Sequence, residues 1–184
     1  VFMHMEFKYL LGLLKAGLYD EFFNSVKTCF PCFLNPEIYG RSILENSSFV
    51  SSSAFPDKRN WGRGFVARLS GSTAEFIDMW ITMVLGEKPF LTDNENNLVF
   101  SLRPLIHSSY FDKDGKFSAK LFSVTDITYV NKSRKSTYLP GVKIKKTEIL
   151  WKDGRKNEFN GSEITGQFAL DIRNRQAESI TATF

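Results

Sequence analysis

The sequence predicts an α+β chain, helical at first and strand-rich afterwards. Apolar residues recur at three- and four-residue intervals over residues 3–16 and again over 18–30. After Pro89 the period changes to alternation, with Asp114-Gly115 and Asp153-Gly154 between alternating runs as hairpin turn signals.

The first two runs, stopped by Gly17, predict a helical hairpin. Pro31, Pro36 and Gly40 then break the pattern, and a serine-rich stretch through Ser47, Ser48, Ser51, Ser52 and Ser53 leads to a loop with Pro56, Gly62 and Gly64. A further helix follows, with Ser72-Thr73-Ala74-Glu75 as its start. Ser72 would cap the first turn, Glu75 would return the bond, and Gly86 would end the helix. Strands are predicted at 98–102, 117–122, 127–130, 142–151 and 164–172. They read as an antiparallel sandwich or jelly roll of about six to eight strands. The expected domains are therefore 1–88, helical, and 89–184, all β. The helical half has too many apolar positions to close on itself. Its periodicity already runs at Phe2, so missing helices are expected upstream.

Composition narrows the classes. With 42% hydrophobic residues and 18 phenylalanines the chain can bury a real core, which excludes disorder. The net charge of +4 is spread along the chain and offset by 20 acidic residues, so no nucleic-acid partner is expected. The densest basic runs, 132–135 and 143–146, fall in the strand-rich half, where lysines commonly blunt sheet edges. No apolar run is long enough for a bilayer span and the start lacks the order of a signal peptide. No membrane association is expected, and the location is expected to be cytoplasmic. Cys29-Phe30-Pro31-Cys32 has redox-dithiol spacing, but it closes an apolar helix and leads into Asn35-Pro36. Two buried, reduced cysteines are expected instead.

The segment 60–75 carries the most chemistry. Gly62-Arg63-Gly64 and Ser70-Gly71-Ser72 bring a basic, glycine-containing loop and hydroxyls to a helix amino terminus, where free N–H groups and the helix dipole favour an anion such as phosphate. Ordinary capping by serine explains the same residues. His4, alone on an apolar helix, reads either as a satisfied core residue or as a ligand-binding imidazole.

Gly62-Arg63-Gly64 followed by Leu69-Ser70-Gly71-Ser72-Thr73-Ala74 resembles a pattern near the barrel's end in glycoside phosphorylases similar to cellobiose and chitobiose phosphorylase, glycoside hydrolase family 94 and its relatives. There a Gly-x-Gly loop precedes an aromatic-Leu-Thr-Gly-Ser/Thr-Ala segment that opens a helix. Phe2-Met3-His4-Met5 through Gly17 is similar to the family's aromatic-x-His helix start, and Glu45-Asn46-Ser47-Ser48-Phe49-Val50 to its Glu-Pro-aromatic-Val stretch, with Asn46 for the proline. Leu102-Arg103-Pro104-Leu105-Ile106 looks like the strand opening the family's β-sandwich.

The resemblance implies that 1–88 end an (α/α)6 barrel and that 89–184 form a β-sandwich (jelly-roll-like) domain. It implies that His4, Ser70 and Gly71 hold inorganic phosphate as co-substrate, without another cofactor or a metal. Serine for threonine at position 70 keeps the hydroxyl, while Arg68 stands where the family often has an aromatic residue. Glu45, Arg63 and Arg68 are the candidate substrate-binding residues, and an ion pair of Glu45 with Arg41 or Arg63 is the plain alternative. The implied partners are an oligosaccharide, phosphate and the upstream part of the same enzyme, with room for a homodimer. The general acid would also lie upstream, leaving the fragment inactive alone.

Two other classes fit the residues. An inverting hydrolase on a related barrel would need a second carboxylate, with Glu45 the residue to watch. A carbohydrate-binding module would expose Trp61 or Trp151 for stacking. Asp112-Lys113-Asp114-Gly115 lacks the later glutamate of a calcium loop and reads as a hairpin turn.

Overall fold

The computed structural model describes residues 1–67 and 70–184, with side chains outside 67–72. The chain is α+β and divides into two compact units, Val1–Trp80 and Ile81–Phe184. The division falls inside a helix.

In the first unit, α1 (Met3–Lys15) and α2 (Tyr19–Cys29) form the expected hairpin. α1 buries Met3, Phe7, Leu10, Leu13 and Leu14, a stripe at helical spacing. Gly17 takes φ +76. That conformation lets Gly17 N–H donate to Leu14 O at 3.1 Å and Leu18 N–H to Leu13 O at 3.0 Å, satisfying the helix's last carbonyls. A short α3 (Pro36–Tyr39) is capped by Asn35, which accepts from Glu37 N–H at 2.9 Å. Strands β1 (Ser47–Val50) and β2 (Gly64–Ala67) pair antiparallel, and α4 (Ser70–Val84) follows. Phe30, fully buried, gathers the helices: its ring centroid lies 6.0 Å from Phe7, 6.2 Å from Phe22, 4.9 Å from Phe76 and 6.0 Å from Trp80. The many phenylalanines are thus used as edge-to-face and tilted contacts among α1, α2 and α4.

The second unit contains β3 (Phe90–Thr92), β4 (Leu98–Ser101), β5 (Lys116–Leu121), β6 (Thr125–Val130), β7 (Lys146–Trp151), β8 (Lys156–Asn160), β9 (Glu163–Thr165), α5 (Gly166–Arg173) and β10 (Ala177–Thr183). Five strands are ordered β5-β6-β10-β7-β8 and three are ordered β3-β4-β9. Register places Ile180 opposite both Ile127 and Ile149, and Ala182 opposite Tyr129 and Thr147; all six are buried. These residues share one face of the larger sheet, which is its core side. Phe168 of α5 packs at 5.9 Å on Trp151 and at 5.2 Å on Phe159. At the edge of α4, Tyr129 Oη donates to Val84 O at 2.6 Å.

Several sequence expectations are corrected. Residues 164–172 are not one strand but the end of β9 and α5. Gly166 at φ +65 breaks the extended run, and the buried Ala169 and Ile172 lie three apart, a helical spacing. The five-stranded sheet is not purely antiparallel: β10 enters its middle, antiparallel to β7 and parallel to β6. The helical half contains the β1–β2 pair. Asp153-Gly154 does turn between β7 and β8, but Asp112-Lys113-Asp114-Gly115 enters β5 without a strand directly before it. There Asp112 Oδ1 accepts from Asp114 and Lys116 N–H at 2.9 and 2.7 Å.

Candidate functional site

Two segments bring His4 to the start of α4. Val1 and Phe2 run beside β1: Val50 N–H donates to Val1 O at 3.0 Å, Phe2 bridges Phe49, and the two rings stack at 5.2 Å. His4, two residues on, is thereby fixed in the first turn of α1. β2, the partner of β1, leads through residues 68 and 69 into α4 at Ser70. His4 Nε2 lies 3.3 Å from Glu75 Oε2, five residues into α4. At a helical rise of ~1.5 Å per residue, the imidazole stands beside the first two turns of that helix. Glu75 Oε2 is buried and makes no hydrogen bond. The contact is therefore a close approach of ring nitrogen and carboxylate oxygen set off the hydrogen-bonding direction.

With α4 starting at Ser70, Ser72 lies within the first turn instead of before it, and Glu75 lies against His4; the expected cap bond of the Ser72 side chain falls outside the described residues. The side chains of Ser70, Gly71 and Ser72, and the whole of Arg68, lie outside the described residues. The backbone places Ser70 and Gly71 as the first two residues of α4, where N–H groups have no partner within the helix.

The glycine loop is held by close packing. A Cβ at Gly62 would come within 2.9 Å of Ile38 Cγ2, and one at Gly64 within 2.5 Å of Tyr39 Cε2. Tyr39, 1% exposed, donates to Glu45 O at 2.7 Å and pairs with Ser47 Oγ at 2.7 Å. Arg41 spans the same region: Nε donates to Gly64 O at 3.0 Å and Nη1 to Glu45 Oε1 at 2.5 Å. Ser51 N–H donates to Arg63 O at 2.9 Å and Gly62 N–H to Ser51 O at 2.8 Å, closing the loop's two ends. Val66, β-branched, is held at φ +64, a conformation kept only under constraint from its surroundings.

Of the two acid–base pairings open to Glu45, the structure adopts the one with Arg41. The Arg63 guanidinium covers Gly40, its Nε 3.6 Å from a Cβ built there, and has no ion-pair partner among the described residues. The Arg41–Glu45 pair was one of the two alternatives in the sequence, whereas the contacts of Tyr39 with Ser47 and of Arg41 with Gly64 escaped it because a brace across a loop leaves no local pattern. Trp151 is buried and donates from Nε1 to Asn157 Oδ1 at 2.7 Å, so it offers no stacking face. Trp61 is partly exposed, donates to Phe55 O at 2.8 Å, and carries Lys58 Nζ at 5.6 Å from its ring centre.

The cysteines are free, but only Cys29 is substantially shielded; Cys32 is exposed, against the expectation of two buried thiols. Cys32 follows Pro31, in a 3-10 turn that carries it off the buried face of α2. Cys29 Sγ donates to Glu6 Oε1 at 3.2 Å. Burial, then the hydrogen bond and charge of Glu6, push this thiol up to about 12, the reverse of an activated redox cysteine. Among the described residues no cluster of three or more His, Cys, Asp or Glu could hold a metal, and no helix is long and apolar enough to cross a membrane.

The chain matches no protein-family model and no curated protein.

Proposed function

We propose that the chain is the carboxy-terminal part of an inverting glycoside phosphorylase, with 1–88 closing an (α/α)6 barrel and 89–184 a β-sandwich. The observation that carries the reading is the 3.3 Å approach of His4 to Glu75. It supports an imidazole and a helix amino terminus acting on one small oxyanion, although they are far apart in the sequence.

Inorganic phosphate sits between the His4 ring and the Ser70–Gly71 start of α4, held by the ring N–H, the Ser70 hydroxyl and backbone N–H groups. Arg63, without an acidic partner among the described residues, adds positive charge. A carboxylic acid supplied upstream protonates the glycosidic oxygen as phosphate attacks the anomeric carbon from the opposite face. The C–O bond to the leaving sugar breaks, and a sugar 1-phosphate of inverted configuration forms. Phosphate replaces the base-activated water of an inverting hydrolase, so a second catalytic carboxylate is not required. Glu45, occupied by Arg41, suits this arrangement. The substrate class is a β-glucoside or β-glucan, and the free thiols accord with a cytoplasmic setting.

The test is incubation of the intact enzyme with β-linked gluco-oligosaccharides, with and without inorganic phosphate. Phosphate-dependent release of a sugar 1-phosphate is expected. Release of free sugar at the same rate without phosphate contradicts the proposal.

A further inference from the structure

The two basic runs of the β-rich unit meet at one cleft. Lys132 and Lys135, on the turn after β6, and Lys143 and Lys145, before β7, line a cavity of about 550 Å³ at the ends of β6 and β10. No Asp or Glu lines it. None of the four lysines is ion-paired among the described residues, whereas neighbouring Lys146 is 3.3 Å from both Glu148 and Glu158. Sheet-edge blunting does not account for four lysines gathered on one cleft.

The backbone carrying these amines is fixed. Asn131, 1% exposed, donates from Nδ2 to Lys135 O at 2.7 Å and accepts from Ser133 Oγ at 2.7 Å. Asn131 N–H donates to Gly115 O at 2.7 Å, and a Cβ at Gly115 would strike Asn131 O at 2.5 Å. On the other wall, Lys145 N–H donates to Thr183 O at 2.7 Å. Pro140, Val142 and Phe184 add apolar surface, which lowers the local dielectric and concentrates the positive field. Four like charges on one cleft favour an anion that itself carries several charges.

We infer that this cleft binds a compact polyphosphate, a small molecule bearing several phosphate groups. Its volume is that of a small-molecule site. A polynucleotide or a lipid face would call for an extended or flat basic surface. The inference is independent of the proposed phosphate site in the first unit.

Calorimetric titration of the full chain with inorganic tripolyphosphate at physiological salt tests it. Two variants are compared, one carrying Lys132→Gln, Lys135→Gln, Lys143→Gln and Lys145→Gln, the other Lys8→Gln, Lys27→Gln, Lys88→Gln and Lys152→Gln. Saturable binding is expected, weakened about tenfold or more by the cleft substitutions and little by the remote ones. Inorganic phosphate should bind the cleft far more weakly than tripolyphosphate. Should the cleft variant fail to fold, Lys132→Gln and Lys143→Gln taken singly should each weaken binding by a smaller step. The inference is overturned by no saturable binding to the unaltered chain, by equal losses in both variants, or by equal affinity for phosphate and tripolyphosphate.

Discussion

His4 of α1 stands 3.3 Å from Glu75 of α4, and this contact joins residues 71 positions apart at the start of a helix. The position of an imidazole beside the first turns of α4 makes the residues opening that helix testable as anion ligands.

In the intact enzyme, Ser70→Ala should raise the KM for phosphate about ten- to a hundredfold, because a lost hydroxyl donor to a charged ligand costs ~1.5–3 kcal/mol. The KM for the sugar should change less, and the melting temperature little. Steady-state kinetics at varied phosphate measure this. Unchanged phosphate dependence with altered melting would return Ser70 to a capping role.

Gly64→Ala should destabilise the fold by ~1–3 kcal/mol, since the new methyl meets the Tyr39 ring and the Ser47 hydroxyl in a packed corner. Adding Tyr39→Leu should recover part of that loss against its own background. Urea denaturation of the two single variants and the double variant gives the coupling. Additive effects would mean that the corner relaxes freely.

Glu45 separates phosphorolysis from hydrolysis. As a half-exposed partner of Arg41, Glu45→Gln should cost at most ~1 kcal/mol of stability and leave phosphorolysis within about tenfold. Loss of about a thousandfold in rate with the fold intact would identify a catalytic carboxylate.

One buried and one shielded acid set an alkaline limit on stability. Burial raises Tyr129 well above the ordinary phenol value of 10.0, and burial aided by Glu6 raises Cys29 from 9.0 to about 12. Both folded groups keep a proton that the unfolded chain releases, so their stabilisation is complete below pH ~9 and declines as pH rises toward 12. The urea midpoint should hold from pH 7 to 9 and fall beyond it. Glu6→Gln should lower the Cys29 value and speed its alkylation at pH 8; an unchanged rate would remove Glu6 as a cause.

What the sequence disclosed follows from the range of each interaction. Helical periodicity located α1 and α2, and alternation located β4, β5 and β6, because their buried faces repeat along a few consecutive residues. β10 went unseen: its place between β6 and β7 is decided by pairing with residues up to 53 positions away. α5 was read as a strand because Ile164-Thr165 precede it without a break until Gly166. At the candidate site His4, Gly62 and Gly64 were legible as residue types at suggestive spacings. Of the Tyr39–Ser47–Glu45–Arg41 brace only the Glu45–Arg41 pairing was legible, as one of two alternatives; the rest consists of contacts across a turn. Glu75 was noticed only as a cap partner, because its contact with His4 joins distant segments and leaves no local pattern.

The most direct measurement is a phosphate titration of the isotopically labelled chain by nuclear magnetic resonance, following the imidazole signals and the Ser70 and Gly71 amides. With only two histidines in the sequence, the His4 ring is readily assigned against His107. The account predicts saturable shifts of His4, Ser70 and Gly71 that share one dissociation constant, with His107 unmoved. Phosphate-induced shifts that omit His4, or that give the ring and the helix start different constants, would contradict it.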